Sequence, residues 1–129
     1  MTRGVEEISA EEYRALTAKA SKLGKYNSRR VTVDGITFDS QAEADRWWDL
    51  CHLERAGVIR DLEVHPRIPL SVGGVQIGHY VGDFRYVDVE SGRTVIEDVK
   101  SPITKTPIYE WKKRHVRAQY GIEITEVAA

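Results

Sequence analysis

The alternation of apolar and polar residues predicts a chain built mainly of strands in its second half. Several runs there are rich in β-branched and aromatic residues, which strands favour. The predicted strands cover residues 62–64, 68–72, 75–87, 94–100 and 122–127. Gly73-Gly74 predicts one turn, and residues 90–93 join the two longest strands as a hairpin.

Two further elements are predicted nearer the N-terminus. Ser9 and Glu12 form a capping box, which predicts a helix over residues 10–23 that Gly24 ends. Alternating β formers on both sides of Asp34-Gly35 predict a hairpin. We expect the N-terminal helix, within residues 1–24, to be an appendage of one main domain over residues 25–129.

Two more helices show a clear start and a repeating pattern. One begins at Ser40, and its face at helical spacing consists of Ala44, Trp47, Trp48 and Cys51. We expect that face to be buried, with both tryptophans in the core. The other helix has Thr106 as N-cap and Pro107 at its first position, runs to about Tyr120, and is stopped by Gly121. Its apolar face, at roughly helical spacing, consists of Ile108, Trp111, His115 and Ala118.

Charged residues interrupt two of the predicted strands. Asp83 falls in the middle of one, and Glu97, Asp98 and Lys100 end the next. Side chains alternate along a strand, so Asp98 and Lys100 share a face that Glu97 does not. An acid and a lysine in a buried strand are costly unless they pair or hold a metal. The hairpin brings Asp83 beside them, and this arrangement suits a divalent metal acting on a phosphodiester.

Composition narrows the class of protein. The chain has 129 residues, enough for one domain with a core, and 19 basic against 20 acidic residues give a net charge of -1. Any surface for nucleic acid must therefore be local. Cys51 is alone, which fits a reducing cytosol, and neither a long apolar run nor a signal peptide is present. We expect a soluble protein that does not enter a membrane.

A local basic surface is present behind the acids. Between residues 100 and 117 only Glu110 is acidic, whereas the basic residues are Lys100, Lys105, Lys112, Lys113, Arg114 and Arg117. We interpret this stretch as a surface for a phosphate backbone, with Thr104 as a further phosphate contact; a solvated helix face is the alternative. Arg29 and Arg30 either contact the same backbone or belong to a solvated linker.

Glu43 has two interpretations. It stands at the third helical position after Ser40, where it completes a capping box, and spacing alone favours this structural role. The functional interpretation places its carboxylate in the metal site.

The order of the predicted core elements is helix, strand, two-stranded hairpin, helix and strand. With Asp83 and Asp98-Val99-Lys100, this order resembles the PD-(D/E)XK nuclease superfamily, whose core is αβββαβ. Several stretches resemble, more narrowly, phage endonuclease-like domains of uncharacterised function grouped near the Holliday junction resolvases. Those stretches are residues 34–40, 43–44, 56–59, 80–84 and 97–100, within a similarity that covers about residues 25 to 127.

The resemblance implies an α/β domain with a mixed α+β sheet and a restriction-endonuclease-like core, to which the N-terminal helix and hairpin are appended. It also changes the interpretation of Glu43, because an acid of the first core helix often joins the metal site in that superfamily. The sequence departs from the commonest pattern at Gly82, where a proline usually precedes the first acid.

Together these features predict a magnesium-dependent DNA endonuclease, with Mn²⁺ as a substitute for Mg²⁺. Asp83, Asp98, Glu43 and the Val99 carbonyl would hold the metal, and Lys100 would orient or deprotonate a water or stabilise charge. We expect branched DNA as the substrate, a homodimer, and phage DNA recombination or processing in the cytoplasm of a bacterial host. The alternatives are a linear-duplex or restriction-type nuclease, a non-catalytic DNA-binding protein on the same fold, and a structural ion pair.

Overall fold

A computed structural model describes residues 30–129 of the chain, and the predicted N-terminal helix and Arg29 lie outside them. The elements are β1 (Val31–Val33), β2 (Ile36–Phe38), α1 (Gln41–Arg55), β3 (Ile59–Val64), β4 (Arg67–Val72), β5 (Val75–Val81), β6 (Phe84–Asp88), β7 (Thr94–Lys100), a short 3-10 helix (Pro102–Thr104), α2 (Pro107–Tyr120) and β8 (Thr125–Ala128). The predicted mixed α+β fold class is confirmed. The chain divides into two compact units between Gln41 and Ala42.

The first unit contains the predicted hairpin. Strands β1 and β2 pair antiparallel, with Val33 opposite Ile36. Asp34 and Gly35 connect them with φ of 52° and 79°. Positive φ at both central residues is what a tight two-residue hairpin turn requires, which explains the Asp-Gly pair. Arg30 and Asp39 flank the hairpin and form an exposed ion pair at 3.8 Å.

A four-stranded sheet organises the second unit, in the spatial order β3-β6-β7-β8. β6 pairs antiparallel with both β3 and β7, whereas β8 runs parallel to β7. Helix α2 makes the parallel pair possible. It carries the chain from the end of β7 back to the end of the sheet at which β7 begins, so that β8 can run in the same direction. Strands β4 and β5 form a separate antiparallel pair.

The predicted continuous strand over residues 75–87 is wrong, since Gly82 and Asp83 interrupt it. The Gly82 N–H donates to the Pro66 carbonyl at 3.1 Å, and the Asp83 N–H donates to the Glu97 carbonyl at 3.0 Å. Neighbouring amides thus bond to two different parts of the fold. The break lets β5 pair with β4 and β6 with the large sheet, and it leaves Asp83 at the junction.

The prediction for the buried face of α1 is partly wrong. Ala44 is buried, but Trp48 is 60% exposed, while Leu50 is fully buried. Trp47 stacks on Phe84 with ring centroids 6.2 Å apart. The buried arc of the helix is therefore centred between Ala44 and Leu50, and Trp48 lies outside it. In α2 the buried side chains are Tyr109 and Val116, and not those of Ile108 and Trp111, which are exposed.

One cluster of buried side chains lies among β4, β5, β7, α2 and the segment before β8. It consists of Ile68, Leu70, Tyr80, Ile96, Tyr109, Val116 and Ile124. Ile96 comes from the same strand as Asp98 and Lys100, so the core packs directly under those charges. Neither described helix is long and apolar enough to cross a membrane.

Candidate functional site

Strand β7 carries two adjacent buried acids that face opposite sides of the sheet. Glu97 is 1% exposed and lies on the side of α1. Arg46 donates Nε to its Oε1 at 2.8 Å and Nη2 to its Oε2 at 2.6 Å, and the Tyr86 hydroxyl donates to Oε2 as well. A charge-assisted, bidentate pair of this kind compensates a buried carboxylate. Through Arg46, Glu97 therefore holds α1 against the sheet.

Asp98 lies on the other side, with different partners. The Tyr80 hydroxyl donates to its Oδ2, and Lys100 Nζ lies 3.2 Å from its Oδ1. The Lys100 ammonium also lies 4.2 Å from the centroid of the Tyr109 ring, a cation–π contact. The ion pair agrees with the shared face that strand alternation predicted. Burial, followed by the Asp98 charge, raises the pKa of Tyr80, so its hydroxyl remains a donor.

Asp83 sits in the break between β5 and β6. Its Oδ2 accepts the Val99 N–H at 2.6 Å, which fixes the carboxylate against β7. Burial, followed by the charges of Asp98 and Glu43, raises the pKa of Asp83 to about 8, against the lowering effect of the Val99 hydrogen bond. Clustered acids that resist ionisation in this way favour a bound cation.

Glu43 and His65 complete the cluster around Asp83. Glu43 is buried in the first turn of α1, and His65 follows β3 with φ of 52°. The His65 N–H donates to the Asp83 carbonyl at 2.9 Å. Ligand atoms of these three side chains all lie within 4.8 Å of one another. The side chains of Asp83 and Glu43, both predicted site residues, thus lie close together. The third member of the cluster, His65, was not predicted.

The donor set of this cluster fits a small divalent cation. Glu43 and Asp83 offer carboxylate oxygens, which Mg²⁺ and Mn²⁺ prefer, and His65 adds an imidazole nitrogen that suits first-row transition metals. Asp98 lies close enough to raise the pKa of Asp83. The expectation that the Val99 carbonyl also ligates the metal stays a prediction; the Val99 amide is the group that touches the site.

The chain belongs to a protein family. A sequence model of that family, described as "Protein of unknown function (DUF1064)", matches residues 23–127. No curated protein and no solved structure matches the chain. Every residue of the described cluster falls inside the matched range. The capping interpretation of Glu43 stays a prediction beside its place in this cluster.

Most of the predicted phosphate-binding residues have partners within the protein. Lys105 and Lys113 each lie 2.9 Å from a Glu126 carboxylate oxygen, and the Tyr109 hydroxyl donates to the same residue at 2.9 Å. The hydrogen bond from Lys105, followed by that from Lys113, lowers the pKa of Glu126 to about 2. The charges of these two lysines are therefore partly neutralised by Glu126, which makes them less available to a DNA phosphate.

The remaining predicted contacts differ in availability. The Thr104 hydroxyl donates to the Ser101 carbonyl at 2.9 Å, and Arg117 lies 3.5 Å from Glu123. Lys112 and Arg114 form no ion pair with another described residue. Lys112, which was predicted, and Arg114, which was only noted as basic, are thus the cations of α2 most available to a phosphate backbone.

Three residues of the site were missed by sequence reasoning, namely His65, Tyr80 and Arg46. His65 directly follows the predicted strand over residues 62–64, and this was a usable signal because histidine is a common metal ligand. Tyr80 gave a weaker signal, because in a continuous strand its side chain would face away from Asp83. The break at Gly82 places both side chains beside Asp98. Arg46 belongs to a helix whose charged residues resemble an ordinary solvated face.

Proposed function

We propose that this protein is a metal-dependent DNA endonuclease with a restriction-endonuclease-like core of the PD-(D/E)XK kind. The observation that carries the proposal is the convergence of Glu43, Asp83 and Asp98 with Lys100 at the break between β5 and β6 and the end of β7. Supporting it, α1, the antiparallel strands β3, β6 and β7, α2 and the parallel strand β8 follow in the order that the resemblance implies.

The chemistry of phosphodiester hydrolysis explains why such residues suit the task. A water oxygen forms a bond to phosphorus, the bond from phosphorus to one deoxyribose oxygen breaks, and that oxygen leaves with a proton. Glu43, His65 and Asp83, with Asp98 adjacent, would hold Mg²⁺ or Mn²⁺. Such a cation, when bound, supplies Lewis acidity that makes a water more acidic and neutralises phosphoryl charge.

Lys100 has the position of the residue that handles the water or the developing charge. Its ammonium has three donor hydrogens, of which Asp98 takes one, and the Tyr109 ring fixes its direction. The others are available to orient a water or to bind a phosphoryl oxygen. Because a pre-placed donor needs no reorganisation during the reaction, its removal should cost catalysis far more than DNA binding.

Branched DNA is the substrate class we propose, in phage recombination or DNA processing in the cytoplasm of a bacterial host. Lys112 and Arg114 supply backbone contacts, and no element within residues 30–129 is evidently suited to reading base edges, so we propose that recognition rests on shape. A four-way junction needs two symmetric cuts, hence a homodimer with two sites related by a two-fold axis. The hairpin and the N-terminal segment are the proposed interface.

The test is cleavage of a labelled four-way junction, a flap, a linear duplex and a single strand by one preparation in Mg²⁺. We expect the junction to be cut fastest, and Asp83→Asn and Asp98→Asn to abolish cutting while remaining folded. Lys100→Ala should lose cutting but bind DNA normally in Ca²⁺. Near wild-type cutting by either asparagine variant would show that the proposed site is wrong. Equal cutting of the duplex would favour the linear-duplex alternative.

A further inference from the structure

Two buried tyrosines hold the two adjacent acids of β7, one on each side of the sheet. Tyr80 donates to Asp98, and Tyr86 donates to Glu97. All four side chains are less than one tenth exposed. The pairs are alike in chemistry and burial, yet only the Asp98 pair lies beside the candidate metal ligands. The chain thus contains a natural comparison between two buried tyrosine–carboxylate hydrogen bonds.

Gly82 ties Tyr80 to the backbone that carries Asp83. A Cβ atom added at Gly82 would lie 3.2 Å from Tyr80 Cε2, 3.2 Å from Ile96 Cγ2 and 3.4 Å from the Tyr80 hydroxyl. The Tyr80 ring therefore packs directly against the residue before Asp83 while its hydroxyl reaches Asp98. This contact accounts for glycine at a position where the nuclease resemblance would favour proline, because a proline ring would meet the tyrosine and lose the N–H that bonds Pro66.

Each carboxylate oxygen of Asp98 therefore has its own partner. Oδ2 accepts from Tyr80, which cannot move without disturbing Gly82 and the core, and Oδ1 faces Lys100. The Tyr80 ring also lies 6.5 Å, centroid to centroid, from the Tyr109 ring that contacts Lys100. Tyr80 thus contacts Asp98 directly and reaches Asp83 through Gly82 and Lys100 through Tyr109.

We infer that Tyr80 is a positioning residue, which holds Asp98 in the orientation that a divalent metal ion and Lys100 require. This inference rests on the proposed function, because it takes Asp98 as part of the metal-dependent site. Groups that orient carboxylates beside a metal through a hydrogen bond commonly change affinity when removed, by about ten- to a hundredfold. The Tyr86 hydroxyl has no such task, since Glu97 is oriented by Arg46.

The test compares Tyr80→Phe with Tyr86→Phe, each of which removes one hydroxyl and keeps the ring. Mn²⁺ affinity is measured by isothermal titration calorimetry on the full chain without DNA, alongside thermal unfolding without metal. We expect both variants to lose similar stability. Only Tyr80→Phe should weaken Mn²⁺ binding, by roughly tenfold or more. In cleavage assays it should lower kcat and leave the KM for DNA unchanged.

A second variant guards against a Tyr80→Phe protein that does not fold. Gly82→Ala keeps the hydroxyl but presses on the ring, so it should also weaken Mn²⁺ binding more than Tyr86→Phe does. Equal Mn²⁺ affinities in the Tyr80, Gly82 and Tyr86 variants would overturn the positioning inference. Wild-type protein that binds Mn²⁺ without cutting any DNA would overturn the nuclease proposal alone, and wild-type protein that binds no Mn²⁺ would overturn both.

Discussion

Asp83→Asn should stabilise the metal-free protein at alkaline pH, although it removes a candidate catalytic group. The Asp83 carboxyl is half-buried beside two other acids, and its pKa is raised from the ordinary value of 3.8 to about 8. Asparagine keeps an oxygen that accepts the Val99 N–H, so the variant removes the charge and little else. The comparison therefore isolates the free-energy cost of ionising one clustered carboxylate.

The sign and size of the effect follow from linkage. Because the folded pKa is raised, the folded state holds a proton that the unfolded state has released, and stability falls as pH rises from the unfolded pKa to the folded one. Each unit of pH across that window costs about 1.4 kcal/mol, so between about pH 5 and pH 8 the ceiling is near 4 kcal/mol. Local relaxation and water entry reduce this cost, and we expect Asp83→Asn to raise the free energy of unfolding at the upper end of the window by about 1–3 kcal/mol.

The assay is urea unfolding of wild type and Asp83→Asn in a chelator, at several pH values across this window. The free energy of unfolding of the wild type should fall relative to the variant as pH rises. Saturating Mn²⁺ should restore the wild type at high pH and leave the variant unchanged, because a ligand that binds only the folded state stabilises it. Parallel pH curves for the two proteins would refute the reasoning, since Asp83 would then ionise without cost.

Three further predictions test other parts of the structure. Arg46→Met should lower the free energy of unfolding by about 3–5 kcal/mol, because Glu97 keeps a buried charge without its bidentate partner; Glu97→Gln in the same background should recover part of the loss in urea unfolding. His65→Ala should reduce Mn²⁺ affinity more than Mg²⁺ affinity in calorimetric titrations, since imidazole suits the transition metal better. Glu126→Gln should tighten DNA binding in Ca²⁺ and steepen its salt dependence by roughly one contact, because Lys105 loses its carboxylate partner while Lys113 still lies 3.7 Å from Glu123; an unchanged slope in fluorescence anisotropy would contradict this.

The acids of β7 show how far sequence reasoning reached and where it stopped. Strand alternation separated Asp98 from Glu97 and joined Asp98 to Lys100, because a period of two is a local property of an extended backbone. The continuous strand predicted around Asp83 was wrong, because Gly82 and Asp83 separate β5 from β6. A glycine that interrupts pairing looks like any other glycine in a strand, until the two segments on either side are seen to join different sheets.

The helices followed the same division. Thr106, Pro107 and Gly121 predicted the limits of α2, since caps and stops act through neighbouring backbone groups. The buried faces were less accessible to sequence reasoning, as the exposed side chain of Trp48 shows. Which part of a helix is covered depends on the angle at which it meets the sheet, and an apolar residue at the margin can fall on either side.

The sequence by itself determined the class of fold, the Asp-Gly hairpin, the limits of α2 and the shared face of Asp98 and Lys100. The hairpin, the limits of α2 and the shared face each depend on neighbours within a few positions along the chain, and the class of fold follows from the order of such local elements. Only the tertiary structure brought His65 to Glu43 and Asp83, placed Tyr80 against Asp98, and took Lys105 and Lys113 into the Glu126 ion pairs. These contacts join residues that are 13 to 40 positions apart (Lys113 to Glu126, Glu43 to Asp83), so they depend on how strands and helices pack, which no local pattern encodes.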